Sequence, residues 1–190
     1  CSQSGWSQRF VYGTERSIAG RGNLLTRTPV PSDCALVPQV IRAALALVSV
    51  PSVSSIETHG TGTALGDPIE VGALHQVFVY MSRAVSVSLV ALKSLIAHSE
   101  GAAGIVGLAK VVHMKQHSYV PPNLHLRVVN PKMDLDAEIV LPSQATGQVV
   151  LSNMAGVSSF GFSGTNSHAS VVCHDHVSRL KNMVSSNLKS

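Results

Sequence analysis

The stretch Glu57-Thr-His-Gly-Thr-Gly-Thr-Ala-Leu-Gly-Asp67, followed by Pro68, decides the fold class of this sequence. The residues before and at its start predict a strand over 53–58. Asp67 and Pro68 predict the start of a helix over 68–79, because Asp accepts hydrogen bonds from unpaired amides and Pro at the first helical position gives up no needed donor. In open α/β sheets, ligands bind beyond the carboxyl ends of such strands.

The segments on either side continue this alternation of helices and strands. Apolar residues at three- and four-residue spacing predict a helix over 34–48, ended by Pro51. A strand over 85–92 follows, and then a helix over 101–117, whose apolar residues lie almost all round and predict a buried helix rather than a surface one. Further short strands are predicted at 139–141, 149–151, 154–158 and 169–173. Aromatic residues make up 4% of the chain beside 45% hydrophobic ones, which predicts an aliphatic α/β core.

Composition and charge exclude several classes of function. The 14 Lys and Arg against 10 Asp and Glu give a net charge of +4, without a basic run interleaved with aromatic residues, so no nucleic acid partner is expected. No apolar stretch reaches the roughly 18 residues of a membrane span, and we find no signal peptide. The 3 cysteines are odd in number and lack metal-ligand spacing, which favours a reducing, cytoplasmic compartment.

The sequence divides into three parts. Residues 1–34 are rich in Ser, Gly, Arg and Thr, show no sustained period, and are predicted to be mostly loop. Residues 35–173 hold the predicted α/β domain, and residues 174–190 form a polar tail. The first residue is Cys1 rather than Met, which indicates a chain taken from something longer.

Two segments place reactive residues where predicted strands end. His59 is followed by glycines that let the backbone and the hydroxyls of Thr61 and Thr63 approach a ligand, although a tight turn with a structural histidine fits equally well. Lys93 stands five residues before His98, and its ammonium would help keep a nearby imidazole neutral and able to donate a hydrogen bond. A capping or packing histidine is the alternative there.

Two other clusters have weaker patterns. In the segment 156–168, glycines flank Phe162, which is either a mobile aromatic residue or part of a β-turn whose phenyl rings fill the core. Cys173-His-Asp-His176 holds four side chains of metal-ligating type, yet consecutive residues do not converge easily on one tetrahedral metal. We therefore expect no metal site.

Taken together, these motifs resemble the C-terminal half of β-ketoacyl synthases, most closely the ketosynthase domain of modular (type I) polyketide synthases. The resemblance covers roughly residues 35–173 and implies a thiolase-like α/β fold with a mixed sheet, a buried central helix and covering helices. The motifs that carry it are His-Gly-Thr-Gly-Thr-Ala-Leu-Gly-Asp-Pro-Ile-Glu-Val-Gly-Ala-Leu at 59–74, Lys-Ser with His at 93–98, Glu-Gly-Ala-Ala-Gly at 100–104, Pro-Pro-Asn-Leu-His at 121–125, Asn-Pro at 130–131, Asp-Leu at 134–135 and Gly-Val-Ser-Ser-Phe-Gly-Phe-Ser-Gly-Thr-Asn at 156–166.

The resemblance implies decarboxylative Claisen condensation of an acyl chain with a malonyl-type thioester in polyketide biosynthesis. His59 and His98 resemble the two histidines that hydrogen-bond the malonyl thioester carbonyl and stabilise the enolate, and Lys93 resembles the lysine that orients the second one. The backbone amide of Phe162 resembles a donor of the oxyanion hole, and its ring resembles the gate of the acyl pocket.

The resemblance also implies partners. Thr61 and Thr63 resemble the threonines that bind the phosphopantetheine arm of acyl carrier protein, which carries the acyl and malonyl thioesters, and no cofactor is bound directly. The intact domain is expected to be a homodimer. The family's nucleophilic cysteine lies in the first half, in an Asp-Thr-Ala-Cys-Ser-type motif that surrounds none of Cys1, Cys34 and Cys173. This chain alone is therefore expected to be inactive in elongation.

The sequence departs from the family pattern between Lys93 and His98. The family usually has Asn and Gly where this sequence has Leu95 and Ala97. A positive φ at Ala97 would strain the backbone by about 1 kcal/mol and shift His98. Two alternative functions stay open: fatty-acid chain elongation, and a catalytically incomplete piece with a structural or acyl-binding role.

Overall fold

A six-stranded mixed sheet forms the centre of the structure, which is a computed structural model. The structure describes residues 7–15, 32–45, 53–78, 86–117, 119–135, 139–142, 148–149, 154–161 and 165–174. The strands are β1 Ser7–Glu15, β2 Val53–Glu57, β3 Val87–Val90, β4 Tyr119–Val120, β5 Ile139–Val140, β6 Gln148–Val149, β7 Met154–Phe160 and β8 Asn166–His174. The helices are α1 Ser32–Leu45, α2 Gly66–Phe78, α3 Lys93–Ile96 and α4 Ala103–His117, with a 3₁₀ turn at Glu100–Ala102.

The order of strands in the main sheet is β1-β8-β7-β2-β3-β5. Strands β7, β2, β3 and β5 are parallel neighbours, whereas β8 runs antiparallel to both β7 and β1. Glu57 at the end of β2 is level with Val90 of β3 and with Val157 of β7. The carboxyl ends of these three parallel strands therefore meet at one edge of the sheet, which is where an α/β fold places its ligand site.

Helices cover both faces of the sheet. On one face, α1 and α2 pack over the strands through an aliphatic cluster that includes Ile41, Leu74 and Ile56. On the other face, Val111 of α4 packs against Ala155 and Val157 of β7 and against Val171 of β8. The period of two along β7 thus sends its side chains to two separate cores, which is the pattern of a sheet between two helical layers.

Helix α4 is less buried than its sequence predicts. Gly107 and Val111 face the sheet, but Ile105 on the other side is 64% exposed. The prediction of a helix buried on all sides is wrong for this chain, because only one face of α4 meets the described strands. Apolar residues on all sides of a helix indicate that other segments can pack against every face. They do not identify those segments.

Two strand predictions also need correction. The composition of residues 1–34 predicted mostly loop, but β1 pairs with β8 along its whole length, from Ser7 with His174 to Glu15 with Asn166. The two strands are distant in the sequence, and residues 7–15 alone show little of the periodic pattern that predicts a strand. Strands were predicted at 154–158 and 169–173 with a loop between them, but β7 extends to Phe160 and β8 begins at Asn166. The two strands form a hairpin closed by the bond from the Gly161 amide to the Thr165 carbonyl. The predicted tail lies outside the described residues beyond His174.

Among the described residues, none of the helices combines the length and apolar character that crossing a membrane requires.

Candidate functional site

His59 and His98 come together at the carboxyl edge of the sheet. His59 follows β2, and His98 follows β3 and the short helix α3, so two neighbouring parallel strands deliver the two side chains. Their ring centroids are 5.5 Å apart, and the planes meet at 82°. The ring of Phe160, at the end of β7, lies 5.5 Å from that of His59 on another side.

Main-chain amides set the protonation pattern of both rings. The Phe160 amide donates to Nδ1 of His59 over 3.4 Å, and the Glu100 amide donates to Nδ1 of His98 over 2.8 Å. A neutral imidazole that accepts at Nδ1 carries its proton on Nε2. Each ring therefore presents Nε2–H as a hydrogen-bond donor.

The imidazole of His59 is neutral at physiological pH. Burial lowers its pKa to about 4, with further lowering by the positive charge of Lys93 and by His98. Desolvation disfavours the charged form of any imidazole, and a nearby cation acts in the same direction. At pH 7 the site holds a neutral donor at this position.

Lys93 lies at the start of α3, half-buried among acidic groups. Burial lowers the pKa of its ammonium, whereas the carboxylates of Glu57, Glu70 and Asp67 raise it. Its charge acts on His59 in turn. Lys93 and His98 therefore both lie close enough to His59 to lower the pKa of its imidazole.

Glu70 holds the loop that carries His59. Its buried carboxylate accepts hydrogen bonds from the His59 amide over 2.8 Å and from the Gly60 amide over 3.0 Å. Burial raises its pKa to about 7, against the lowering effect of these two amides. Gly60 has φ of +44°, and a Cβ built there would lie 2.7 Å from that of Ala91, so the turn requires glycine.

The two threonines lie on the exposed side of this loop. The Oγ1 atoms of Thr61 and Thr63 are 3.1 Å apart, and the Thr63 hydroxyl accepts a hydrogen bond from the Gly66 amide over 3.0 Å. The sequence predicts Asp67 as the cap of a helix that starts at residue 68. In the structure α2 begins two residues earlier, at Gly66, Thr63 caps it, and Asp67 accepts instead from the Gly62 amide over 3.1 Å.

A cleft of about 390 Å³ lies beside the threonines. One wall consists of the loop with Thr61 and Thr63 and of Lys93, and the other is the segment after β4, including Asn123 and Val128. Neither histidine is among its lining residues. The cleft therefore adjoins the histidine pair from the threonine side rather than enclosing it.

Two buried polar groups were not predicted from the sequence. Glu57 pairs with Lys110, with 2.7 Å between Oε2 and Nζ. His168 is 1% exposed, and its Nδ1 is 3.0 Å from the Ser158 hydroxyl. An acidic residue at a strand end and a histidine in a strand were both visible in the sequence, but a partner 53 positions away, as for Glu57, leaves no local pattern.

Some predicted site residues lie beyond the described part. Phe162 is outside the described residues, as are the last two members of Cys173-His-Asp-His176. Among the described residues, no group of three or more His, Cys, Asp or Glu side chains could hold a metal ion. Cys173 lies seven residues along β8 from Asn166, or about 23 Å from the strand end that approaches His59.

Comparisons with known proteins identify the family. Residues 20–127, more than half of the chain, match the family described as beta-ketoacyl synthase, C-terminal domain. The chain belongs to this family. Its relatives include a reducing polyketide synthase, grgA, from Penicillium sp, which is 38% identical over 66% of this chain and 5% of its own length. Another is a phenolphthiocerol/phthiocerol polyketide synthase of Mycobacterium tuberculosis, 36% identical over 83% of this chain and 10% of its own.

A solved structure shows the same fold. Ketosynthase twelve of the bacillaene polyketide synthase from Bacillus amyloliquefaciens matches with a TM-score of 0.72 and 28% identity, over 85% of this chain and 29% of that one. This confirms the predicted thiolase-like fold and the resemblance to ketosynthases of polyketide synthases. The relatives are polyketide synthases, so fatty-acid elongation is not favoured. This chain spans less than a third of the length of each of these relatives.

Proposed function

We propose that this chain supplies the histidine pair of a ketosynthase that carries out decarboxylative Claisen condensation in polyketide biosynthesis. In class it is an acyltransferase of the 3-oxoacyl-[acyl-carrier-protein] synthase type. The observation that carries the proposal is the adjacent pair of rings, His59 and His98, each with Nδ1 occupied by a main-chain amide. Two Nε2–H donors side by side are the groups needed to bind one oxyanion.

The reaction can be written with its electrons balanced. The bond between the malonyl α-carbon and its carboxylate breaks and releases carbon dioxide, and the electron pair moves into an enolate whose charge lies on the thioester oxygen. His59 and His98 donate to that oxygen, and each such donor is worth about 3 kcal/mol in the transition state. The enolate carbon then attacks the acyl thioester, forming a carbon–carbon bond and releasing the cysteine thiolate.

The neutral state of His59 supports this role. A protonated imidazole would bind the malonyl carboxylate tightly in the ground state, whereas a neutral donor favours the charge that develops on the thioester oxygen. The pKa of His59, lowered to about 4, keeps it neutral at physiological pH. In this proposal Lys93 orients His98 and adds positive potential to the site.

The proposed substrate is carried by the phosphopantetheine arm of acyl carrier protein, and no cofactor is bound directly. The threonine pair at 61 and 63 and the cleft beside it support this choice, because the hydroxyls can hydrogen-bond the amides of such an arm. Phe162 keeps the role that its family position implies, as oxyanion donor and gate. A cytoplasmic location and a homodimeric intact domain complete the proposal.

The nucleophile is expected from another part of the complete polypeptide. Cys173 lies far along β8 from the histidines, and Cys34 lies in the first turn of α1. Elongation should therefore be absent from the 190-residue chain alone, with at best trace decarboxylation, because the site is open to water and electrostatic stabilisation weakens there.

The test is release of labelled carbon dioxide from malonyl-carrier protein by the complete polypeptide that contains this chain. His59→Ala and His98→Ala should each lower kcat by about a hundredfold or more. His113→Ala is the matched control, because His113 is an exposed histidine that stacks on His117 in α4. Decarboxylation that survives both site substitutions, or an acyl-enzyme on Cys34 or Cys173 that goes on to chain extension, would refute the proposal.

A further inference from the structure

The carboxylate of Glu57 lies at the end of β2, two residues before His59, and has no role in the chemistry proposed above. It is 2% exposed. Its Oε1 accepts a hydrogen bond from the Leu92 amide over 2.5 Å, and its Oε2 lies 2.7 Å from Nζ of Lys110. One buried carboxylate thus joins the end of β2, the residue before Lys93, and helix α4.

The contact with Leu92 is the last of a series that fixes the chain after β3. The Thr58 amide donates to the Val90 carbonyl over 2.8 Å, and the Ala91 amide donates to Oδ1 of Asn123 over 2.8 Å. Glu57 then accepts from Leu92, the residue immediately before Lys93. The following turn, closed by the bond from the Ala97 amide to the Lys93 carbonyl, leads directly to His98.

Helix α4 is adapted to this carboxylate. A Cβ built on Gly107 would lie 3.2 Å from Cγ of Glu57, so the helix passes close to the side chain at this point. Lys110 lies three residues further on, which places it on the same face of the helix. Its side chain is 8% exposed, so its ammonium meets the carboxylate away from water.

We propose that Glu57, held in place by Lys110, is a positioning residue that fixes the turn at Leu92 and thereby the location of Lys93 and His98 relative to His59. This inference rests on the proposed function, since the distance between the two rings matters to catalysis only if both donate to one oxyanion. Glu57 also supports the protonated state of Lys93, because its charge raises a pKa that burial lowers.

The test compares two double variants that remove the same charges. A single substitution would leave an unpaired buried charge, which is strongly destabilising, whereas neutral replacement of both partners is often tolerated. Glu57→Gln with Lys110→Met keeps an amide oxygen that can accept from Leu92. Glu57→Leu with Lys110→Met removes that acceptor, so the two variants differ in one hydrogen bond.

The measurements are made on the complete polypeptide. Relative to the Gln/Met variant, the Leu/Met variant should lose kcat for malonyl decarboxylation by about tenfold to a hundredfold with KM unchanged, since misplacement of about 1 Å costs this much. Its Leu92 amide should exchange faster with solvent, and the NMR contact between the rings of His59 and His98 should weaken. The thermal midpoints of the two variants should differ by no more than the loss of one hydrogen bond accounts for.

Two results would overturn the inference. One is equal kcat and equal ring contacts in both double variants. The other is a loss of kcat in the Leu/Met variant that comes with a matching fall in thermal midpoint and faster exchange throughout, which is the result of a purely structural role. If the wild-type polypeptide does not decarboxylate, the proposed function fails, and the ring contact and the Leu92 exchange still decide whether Glu57 positions the turn.

Discussion

Replacing Ala97 by glycine should stabilise this fold, although glycine normally destabilises. Ala97 has φ of 63° and ψ of −173°, a region of backbone space that is essentially restricted to glycine. Such a conformation costs a residue with a Cβ about 1–3 kcal/mol. The greater conformational entropy of glycine in the unfolded chain reduces this gain by about 0.4–1 kcal/mol. The difference predicts a net gain of about 1 kcal/mol for Ala97→Gly.

Urea unfolding followed by circular dichroism, at two protein concentrations to separate unfolding from association, measures this gain. With a slope of about 2 kcal/mol per molar, the urea midpoint should rise by about 0.5 M. The matched control is Ala109→Gly, an identical substitution at an exposed position inside α4, where helix propensity predicts a loss of about 1 kcal/mol. A fall of the midpoint in both variants would refute the reasoning, because it would mean that the backbone at residue 97 is not strained.

Two further predictions concern buried or capping polar groups. Thr63→Ala should destabilise the chain by about 1 kcal/mol by removing the cap on the Gly66 amide, while Thr63→Ser should retain most of the stability; a urea midpoint equal to wild type in the alanine variant would contradict this. Burial lowers the pKa of His168 to about 4, so the unfolded chain binds its proton more readily, and stability should fall as pH drops from about 6.5 towards 4, by up to about 3 kcal/mol. The raised pKa of Glu70 changes the stability with opposite sign in the same pH range. The readout is therefore the difference in free energy of unfolding between wild type and His168→Gln. This difference should vary with pH, and a constant difference would contradict the prediction.

The central elements could be predicted because their signals are local. Asp67 and Pro68 mark the start of α2 within one or two residues, and the strand before His59 ends one residue earlier than predicted. Hydrophobic period and turn residues lie within a few positions of each other in such segments. The same local signals predicted that the two histidines lie at the carboxyl edge of the sheet, since both follow strands that are parallel.

The remainder depended on contacts between distant parts of the chain. Strand β1 is a strand because β8 lies beside it, and nothing within residues 7–15 demands that pairing. The strands predicted at 154–158 and 169–173 are too short at the ends that face the turn, because the glycines between them indicated a longer loop. The Glu57 to Lys110 pair crosses from a strand end to a helix in another layer, so neither residue carries a sign of the other in its own neighbourhood.

The two departures of this chain from the family pattern, Leu95 and Ala97, both precede His98, and the structure accommodates both. Leu95 stands where the family usually has Asn. Its side chain is 38% exposed, so this replacement leaves no gap in the core. Ala97 and Glu100, with φ of 63° and 48°, bracket His98, and strained residues of this kind persist where the surrounding structure holds them. The Glu100 amide holds Nδ1 of His98 from the C-terminal side, while the departures lie on its N-terminal side. The presence of alanine rather than glycine at position 97 should therefore reduce the stability of the turn more than it changes the Nε2–H donor that His98 presents.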